Sequence, residues 1–265
     1  MKATLLIAAL SIVGSTRGEV NSNSQLDDSK QEEVLSDARS YVMSHEAKLP
    51  DFMCAQTVRR FENYDDQGWR PIDVIVEHLT YSNHREFYKV ITRNGQPVTI
   101  THDQLRGLSS SGEFGSTMNA LFLRQTAAIF TWHDWSTLRG RRMFVFSYQV
   151  PASRSAYRLQ VPDQLLDLVA GYHGLVYIDG ENHFVHRVTL YADDVPPAFP
   201  IQDVSLTLDY DYRRIGDADY LVPVHFELVS RQGHRFIKNE VDYDDYQKFN
   251  AASIIVFGAP DESKR

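Results

Sequence analysis

The sequence predicts a mainly β protein of the α+β class, built on one large antiparallel sheet that curls into a half-barrel. Runs with a hydrophobic period of two recur from Ile72 to Tyr243, and this period is typical of strands. Aromatic residues make up 12% of the chain, and their rings pack well on a pleated surface. Short turns join consecutive runs, which indicates antiparallel neighbours.

The first predicted helix follows a polar segment, residues 19–30, which we expect to be flexible. Ser29 and Glu32 have the spacing of a capping box. Pro50 ends the helix, because the residue before a proline avoids helical geometry. The apolar residues of this segment share one helical face: Val34, Leu35, Ala38, Tyr41 and Val42.

The pattern changes to that of strands near residue 70. Two interleaved sets alternate there: Ile72, Val74 and Val76 with Asp73, Ile75 and Glu77. Asn94-Gly95 is a strong signal for a hairpin turn. A loop rich in glycine and serine covers residues 106–116, and a second helix is predicted to begin near Ser116.

From about residue 130 onward the chain is predicted to be almost entirely strand. We expect about ten or eleven strands and two or three helices in all. So few helices cannot cover both faces of a flat sheet, so the sheet is expected to curl with the helices on its concave side. The clearest apolar stripes are Phe144, Phe146 and Tyr148, then Val204, Leu206 and Leu208, then Phe226.

The amino terminus has the features of a cleaved export signal. Lys2 precedes an apolar stretch at 3–14, and small residues allow cleavage between Gly18 and Glu19. The stretch is too short to span a bilayer, and no other stretch is long and apolar enough to do so. Residues 1–18 are therefore predicted to be a signal peptide, and the location to be periplasmic or secreted.

Composition excludes several partners. The formal net charge is −8, whereas a nucleic-acid-binding surface has to be basic. No polybasic run indicates a membrane-surface patch. Cys54 is the only cysteine, so no intrachain disulfide can form, and its apolar neighbours predict a small buried residue. No linker divides residues 31–258, which are predicted to be a single domain before a polar tail at 259–265.

The hairpin at 174–196 contains an acid, two histidines and an arginine close together. Asp179-Gly180 is predicted to be its turn, with the Asp179 side chain bonded to the turn backbone. His183 and His186 are three apart on a strand and are expected to point to opposite faces, so they do not bind one metal ion together. His186 is predicted to be a core or pocket-wall residue with one hydrogen-bond partner.

No catalytic motif is complete. Ser109 and Ser111 lie in a stretch close to a nucleophile elbow, but Ser111 stands where the motif needs its second glycine. The acidic run at 242–245 lacks calcium-loop spacing. The aromatic cluster Trp132-His133-Asp134-Trp135 is expected to pack at an edge. No metal and no cofactor is predicted.

The leading signal, the first helix, the long run of strands and the Gly/Ser loop before a second helix resemble the LolA/LolB/RseB-like half-barrels, a bacterial periplasmic lipoprotein-carrier superfamily. The hairpin from Gly174 to Asp179, followed by the strand from Phe184 to Val188, looks like a hairpin of these proteins. It looks closer still to other exported proteins of environmental bacteria. The resemblance covers roughly residues 30 to 257.

The resemblance implies an apolar concave cavity under a helical lid that accepts acyl chains or apolar protein segments, without covalent chemistry. We expect a binding or carrier protein for a lipid or a lipidated protein. Two alternatives are a protein-interaction or sensor module that binds a peptide segment, and a hydrolase that uses His133, His173 or His186. The candidate lining residues, which are equally expected as plain core, are Phe144, Phe146, Tyr148, Val204, Leu206, Leu208 and Phe226.

Overall fold

The structure, a computed structural model, describes residues 26–45, 48–105, 107, 116–161 and 164–249. The predicted signal peptide, the polar tail and nearly all of the 106–116 loop, with Ser109 and Ser111, lie outside the described residues. The helices are α1 (Asp28–His45) and α2 (Ser116–Phe122). The strands are β1 (Phe52–Tyr64), β2 (Arg70–Ser82), β3 (Arg85–Arg93), β4 (Gln96–Pro97), β5 (Ile129–Leu138), β6 (Arg141–Val150), β7 (Arg158–Val161), β8 (Leu166–Val169), β9 (Gly171–Asp179), β10 (Val185–Asp193), β11 (Gln202–Ile215), β12 (Ala218–Gln232) and β13 (Arg235–Lys248).

Eleven of these strands form one antiparallel sheet in the order β4-β3-β2-β1-β13-β12-β11-β10-β9-β6-β5, and β7 and β8 form a separate hairpin. The sheet is an open half-barrel, because the strands at its two ends, β4 and β5, do not pair with each other. The predicted fold class, a large antiparallel sheet with few helices, is confirmed. The Asn94-Gly95 turn is confirmed as well, since both residues have positive φ, at 52° and 74°.

One face of the sheet, called the inner face here, packs against both helices. A single row of directly opposed partners crosses nine strands of this face, from β2 to β5. The first eight members are buried residues of the main hydrophobic core, and the last is partly buried and packs against it: Ile75, Val58, Val241, Phe226, Leu208, Val188, Val176, Phe146 and Trp132. Opposed apolar pairs of this kind are the main source of sheet stability.

Helix α1 packs its predicted apolar face on the inner face, with Val34, Ala38 and Val42 fully buried. The predicted capping box at Ser29 is wrong in position. The helix begins one residue earlier, at Asp28, and the Asp27 carboxylate accepts the Ser29 N–H at 3.1 Å. An aspartate at this position satisfies a backbone donor that the first turn leaves free.

The face of β2 that is buried was not evident from its sequence. The structure buries Asp73, Ile75 and Glu77, while Ile72 and Val74 are exposed. Both sets of residues alternate and both contain apolar side chains, so the period alone could not identify the buried one. Within the described residues, no helix has the length and apolar character needed to cross a membrane.

Candidate ligand-binding face

The seven predicted lining residues all lie on the inner face and are all buried. They belong to the main core cluster that also contains the buried faces of α1 and α2. Strands β11 and β12 are neighbours, whereas β10 and β9 separate β11 from β6, so Val188 and Val176 connect the two groups of predicted residues. In the helix-covered form this surface is packed core, and whether it receives a ligand remains a prediction.

Tyr148 shows how closely this part of the sheet is packed. Its hydroxyl crosses Gly174 and donates to the Thr189 carbonyl at 2.6 Å, and burial raises the pKa of Tyr148 above its ordinary value. A Cβ on Gly174 would lie 1.9 Å from the Thr189 oxygen and 3.0 Å from the Tyr148 hydroxyl. Only glycine leaves room for this crossing.

Helix α1 is joined to its surroundings by a few specific side-chain contacts. Tyr41 stacks on Phe184 of the β9–β10 turn with ring centroids 3.6 Å apart. Arg39 donates to the Phe122 carbonyl at the end of α2 at 3.2 Å. His183 and Asp37 meet at 2.7 Å. These contacts hold a helix whose sheet-facing side chains are small, since valine and alanine predominate.

The edge strand β5 carries the predicted aromatic cluster. A register irregularity between Trp132 and Asp134 turns Trp132 and Trp135 toward the same side, where they pack on Phe144. The Arg142 guanidinium lies 3.8 Å from the centre of the Trp135 ring. The cluster is therefore edge packing, as the sequence indicated.

The β1–β2 half of the inner face contains buried ionic groups that sequence reasoning missed. Arg60 binds both carboxylate oxygens of Asp73, at 2.6 and 2.7 Å, and Arg93 adds a third contact at 2.7 Å. The hydrogen bonds from Arg60 are the main reason that the pKa of Asp73 lies below its ordinary value. Arg60 and Asp73 are 13 residues apart, so no short sequence motif predicts that they form a pair.

A second polar group lies further along β1 and β2. Glu77, which is buried, accepts from Gln56 at 3.4 Å and meets His102 at 2.8 Å. The amide oxygen of Gln56, Oε1, is buried and has no hydrogen-bond partner among the described residues. We call Gln56, Arg60, Asp73, Glu77 and His102 the inner polar cluster. It places polar atoms on the same face as the apolar row.

The β9–β10 turn is built as predicted around Asp179. Its carboxylate accepts the Glu181 and Asn182 N–H groups, at 2.8 and 3.2 Å. Burial alone raises the pKa of Asp179, but these hydrogen bonds reverse the effect and hold it below the ordinary value. The aspartate therefore stabilises the turn.

The two histidines of this hairpin have different surroundings. His183 lies in the turn and faces α1 through Asp37. His186 is buried, and its Nδ1 lies 3.3 Å from the Tyr210 carbonyl, so the predicted single partner is found. Its Nε2 has no hydrogen-bond partner within the described chain and lies 4.0 Å from Asp179. Burial lowers the pKa of His186, and the Asp179 charge only partly opposes this.

A groove of about 590 Å³ lies on the outer face across β5, β6, β9 and β10. Of the seven predicted residues, only Tyr148 also borders it. His173 meets Asp193 there at 2.7 Å and stacks on Tyr191. Ser147 borders the same groove, but its hydroxyl donates to the Thr131 carbonyl at 3.3 Å. The Ser147 hydroxyl is therefore directed to the backbone of β5.

Comparison with protein-family models and with curated proteins finds no match. Several solved structures have a similar fold. One is a LolA superfamily protein from Nitrosomonas europaea, 10% identical over 83% of this chain and 93% of that chain, with a TM-score of 0.37. Another is a putative outer membrane lipoprotein-sorting protein domain from Vibrio parahaemolyticus, 11% identical over 84% of this chain and 95% of that chain, with a TM-score of 0.40.

A third is the lipoprotein LppX from Mycobacterium tuberculosis, 10% identical over 84% of this chain and 99% of that chain, with a TM-score of 0.29. One of these structures is of a protein from the LolA superfamily, which the sequence resembles. Identities and TM-scores this low describe a shared outline of the fold. What the chain binds has to be argued from its own residues.

Proposed function

We propose that this chain is an exported, non-catalytic binding or carrier protein for an apolar ligand that carries an acyl chain. One observation supports this above the others. An unbroken apolar row crosses nine strands of an open sheet, and its cover includes the two helices. An acyl chain needs an extended apolar surface without directional bonds, at about 25 cal/mol per Å² buried.

The cover can separate from the sheet at modest cost. The buried side chains of α1 are two valines and an alanine, which bury less area than leucine or phenylalanine would. Its polar contacts, through Arg39 and Asp37, lie at the edge of the packed area and can exchange with water. A ligand that replaces α1 on the inner face would restore the lost apolar contacts.

Buried polar atoms on the inner face add a preference for an amphiphile. Gln56 Oε1 and the Ser230 hydroxyl are buried acceptors without hydrogen-bond partners among the described residues. Unpaired polar atoms in a dry environment are costly, and a ligand that donates to them gains affinity. An acyl lipid whose head group carries a hydroxyl or an ammonium has an apolar tail for the row and a donor for such atoms.

The first experiment is mass spectrometry of the exported chain, native and then after solvent extraction. We expect a stoichiometric acyl lipid that survives purification, or uptake of an added fatty acid or phospholipid by chain that has lost its lipid. A protein that carries no lipid and takes up none would contradict the proposal.

A second experiment tests whether the ligand enters beneath α1. Tyr41→Cys with Phe184→Cys places two thiols at the stacked contact between α1 and the β9–β10 turn. A short bis-maleimide should join them and abolish uptake of a fluorescent fatty acid. Cys54 does not interfere, because it is buried and burial raises the pKa of its thiol well above the ordinary value. The uncrosslinked double variant is the matched control and should still take up the probe.

Strand β5 supports a second candidate function, the binding of an extended peptide segment. It is an end strand of the sheet, ten residues long, and Ile129 on it is 65% exposed. An open edge can pair with another chain through its backbone. Thr131→Pro would block backbone pairing at this edge, so it should abolish peptide binding and leave lipid uptake unchanged.

A further inference from the structure

We propose that Glu33, Asp37 and His183, called the helix–turn triad here, form a binding site for a divalent transition-metal ion of the zinc type. The three residues each offer one ligand atom, and these atoms all lie within 4.8 Å of one another. Two of the ligands are on α1 and the third is in the turn between β9 and β10. Imidazole and carboxylate together suit zinc and its neighbours.

The positions of the ligands follow from the fold. Glu33 and Asp37 are four residues apart, so they lie on the same side of α1. A tetrahedral zinc ion with bonds of about 2.0–2.2 Å separates neighbouring ligand atoms by roughly 3.3–3.5 Å. The Asp37 Oδ2 and His183 Nδ1 atoms are 2.7 Å apart, so this distance has to increase slightly when an ion binds. The Glu33 carboxylate has to move closer to the other two ligand atoms. Each change is within reach of side-chain rotation.

The histidine is already oriented for this role. The backbone N–H of His183 donates to the Asp179 carbonyl at 3.1 Å. The imidazole ring makes an edge contact with the Phe144 ring, with centroids 5.7 Å apart. Its side chain is 11% exposed, whereas that of Asp37 is 56% exposed. The site therefore has one fixed ligand and two adaptable ones, and it remains open to solvent for a fourth ligand such as water.

Other histidine–acid pairs show what distinguishes this one. His173 with Asp193 and His225 with Asp242 also meet at 2.7 Å. Among the residues that the structure describes, only the helix–turn triad brings a third histidine, cysteine or carboxylate within reach. Its one competitor is Lys30, which pairs with Glu33 at 2.9 Å at the surface. An exposed ion pair of this kind contributes little and yields readily to a metal ion.

A metal ion at this site would join α1 to the sheet, because its ligands come from both. Under the proposed function this would make release of α1 from the inner face depend on metal. That consequence rests on the proposed function, whereas metal binding itself does not.

The test uses the full chain without a polyhistidine tag, stripped of metal with a chelator. Calorimetric titration with Zn²⁺ and visible absorption with Co²⁺ should show one ion bound per chain. Glu33→Gln and His183→Gln should each weaken Zn²⁺ binding by about tenfold or more, since even outer partners of a ligand contribute about 10–100-fold. The matched control, His173→Gln, alters an ordinary His–Asp pair and should bind Zn²⁺ like the wild type.

Absence of stoichiometric binding by the wild type would overturn the proposal, and so would equal affinity in both triad variants. Glu33 is exposed on α1, so its variant keeps the fold even if the His183 variant loses it. Fatty-acid uptake is measured separately with and without Zn²⁺. One bound ion without any lipid uptake would reject the carrier function and leave the metal site standing, and lipid uptake without zinc binding would do the reverse.

Discussion

Asp73 is the residue whose loss should cost the most stability. It is buried between Arg60 and Arg93, so Asp73→Asn removes the carboxylate charge that pairs with both guanidinium groups. Breaking a buried ion pair in this way costs about 3–5 kcal/mol. Chemical denaturation should show this loss in the free energy of unfolding. Asp203→Asn, at an exposed pair with Arg231, is the control and should change it by less than about 1 kcal/mol.

At low pH the wild type should lose the stabilisation that the Asp73 carboxylate gives to the folded state. Because the pKa of Asp73 is lower in the folded chain, its carboxylate stabilises the fold at pH values above the ordinary value of 3.8. This contribution is lost as the pH falls through the lower, folded value. We expect the free energy of unfolding of Asp73→Asn to fall less steeply below pH 4 than that of the wild type. If the free energies of unfolding of the variant and the wild type fell in parallel below pH 4, Asp73 would not be the source of this pH dependence.

His186 should add a pH dependence closer to neutrality. Burial lowers its pKa below 6.5, so the unfolded chain binds its proton first as the pH falls. The unfolded state then holds more protons, and the wild type loses stability as the pH drops below about 6.5. His186→Gln should lack this part of the slope in unfolding experiments between pH 7.5 and 5. His173→Gln, at an exposed position, should retain it.

Strand β9 depends on a glycine for its fit to β10. Gly174→Ala would place a Cβ 1.9 Å from the Thr189 carbonyl oxygen, so the backbones of two central strands have to separate. Overpacking of this kind costs about 1–3 kcal/mol, and here it should also disturb the Tyr148 hydrogen bond. Thermal unfolding measures the loss. Gly95→Ala, where nothing lies within 4 Å, should incur only the cost of its positive φ, about 1–2 kcal/mol.

The buried face of a strand could be predicted from sequence where only one of its faces is apolar. It could not be predicted where both faces contain apolar residues. The stripe Val204, Leu206 and Leu208 on β11 alternates with polar residues, and the structure buries it as expected. On β2, Ile72 and Val74 compete with Ile75, and the arginines of β1 and β3 decide the buried face through Asp73. The helix–turn triad could not be predicted from sequence either, because Asp37 and His183 are 146 residues apart.

At the scale of the whole molecule, the proposed function requires the helices and a ligand to compete for one surface. The apolar row on the inner face is complete without a ligand, because α1 and α2 pack onto it. The seven candidate residues therefore serve as core in this form, and under the proposed function they would line the surface in a ligand-filled form. A closed form that competes with the ligand lowers the apparent affinity by the fraction of molecules that are closed.

Weakening the closed form should therefore improve binding. Val42 is fully buried on the sheet-facing side of α1, and Val42→Ala removes two carbon atoms at a cost of about 1.5–2.5 kcal/mol. If that cost falls only on the closed form, the apparent affinity for a fluorescent fatty acid rises by about tenfold or more, since about 1.4 kcal/mol corresponds to tenfold. Met43→Ala, on the exposed side of the same helix, should leave the affinity unchanged. A Val42→Ala protein that is less stable and binds no better would show that the inner face is permanent core.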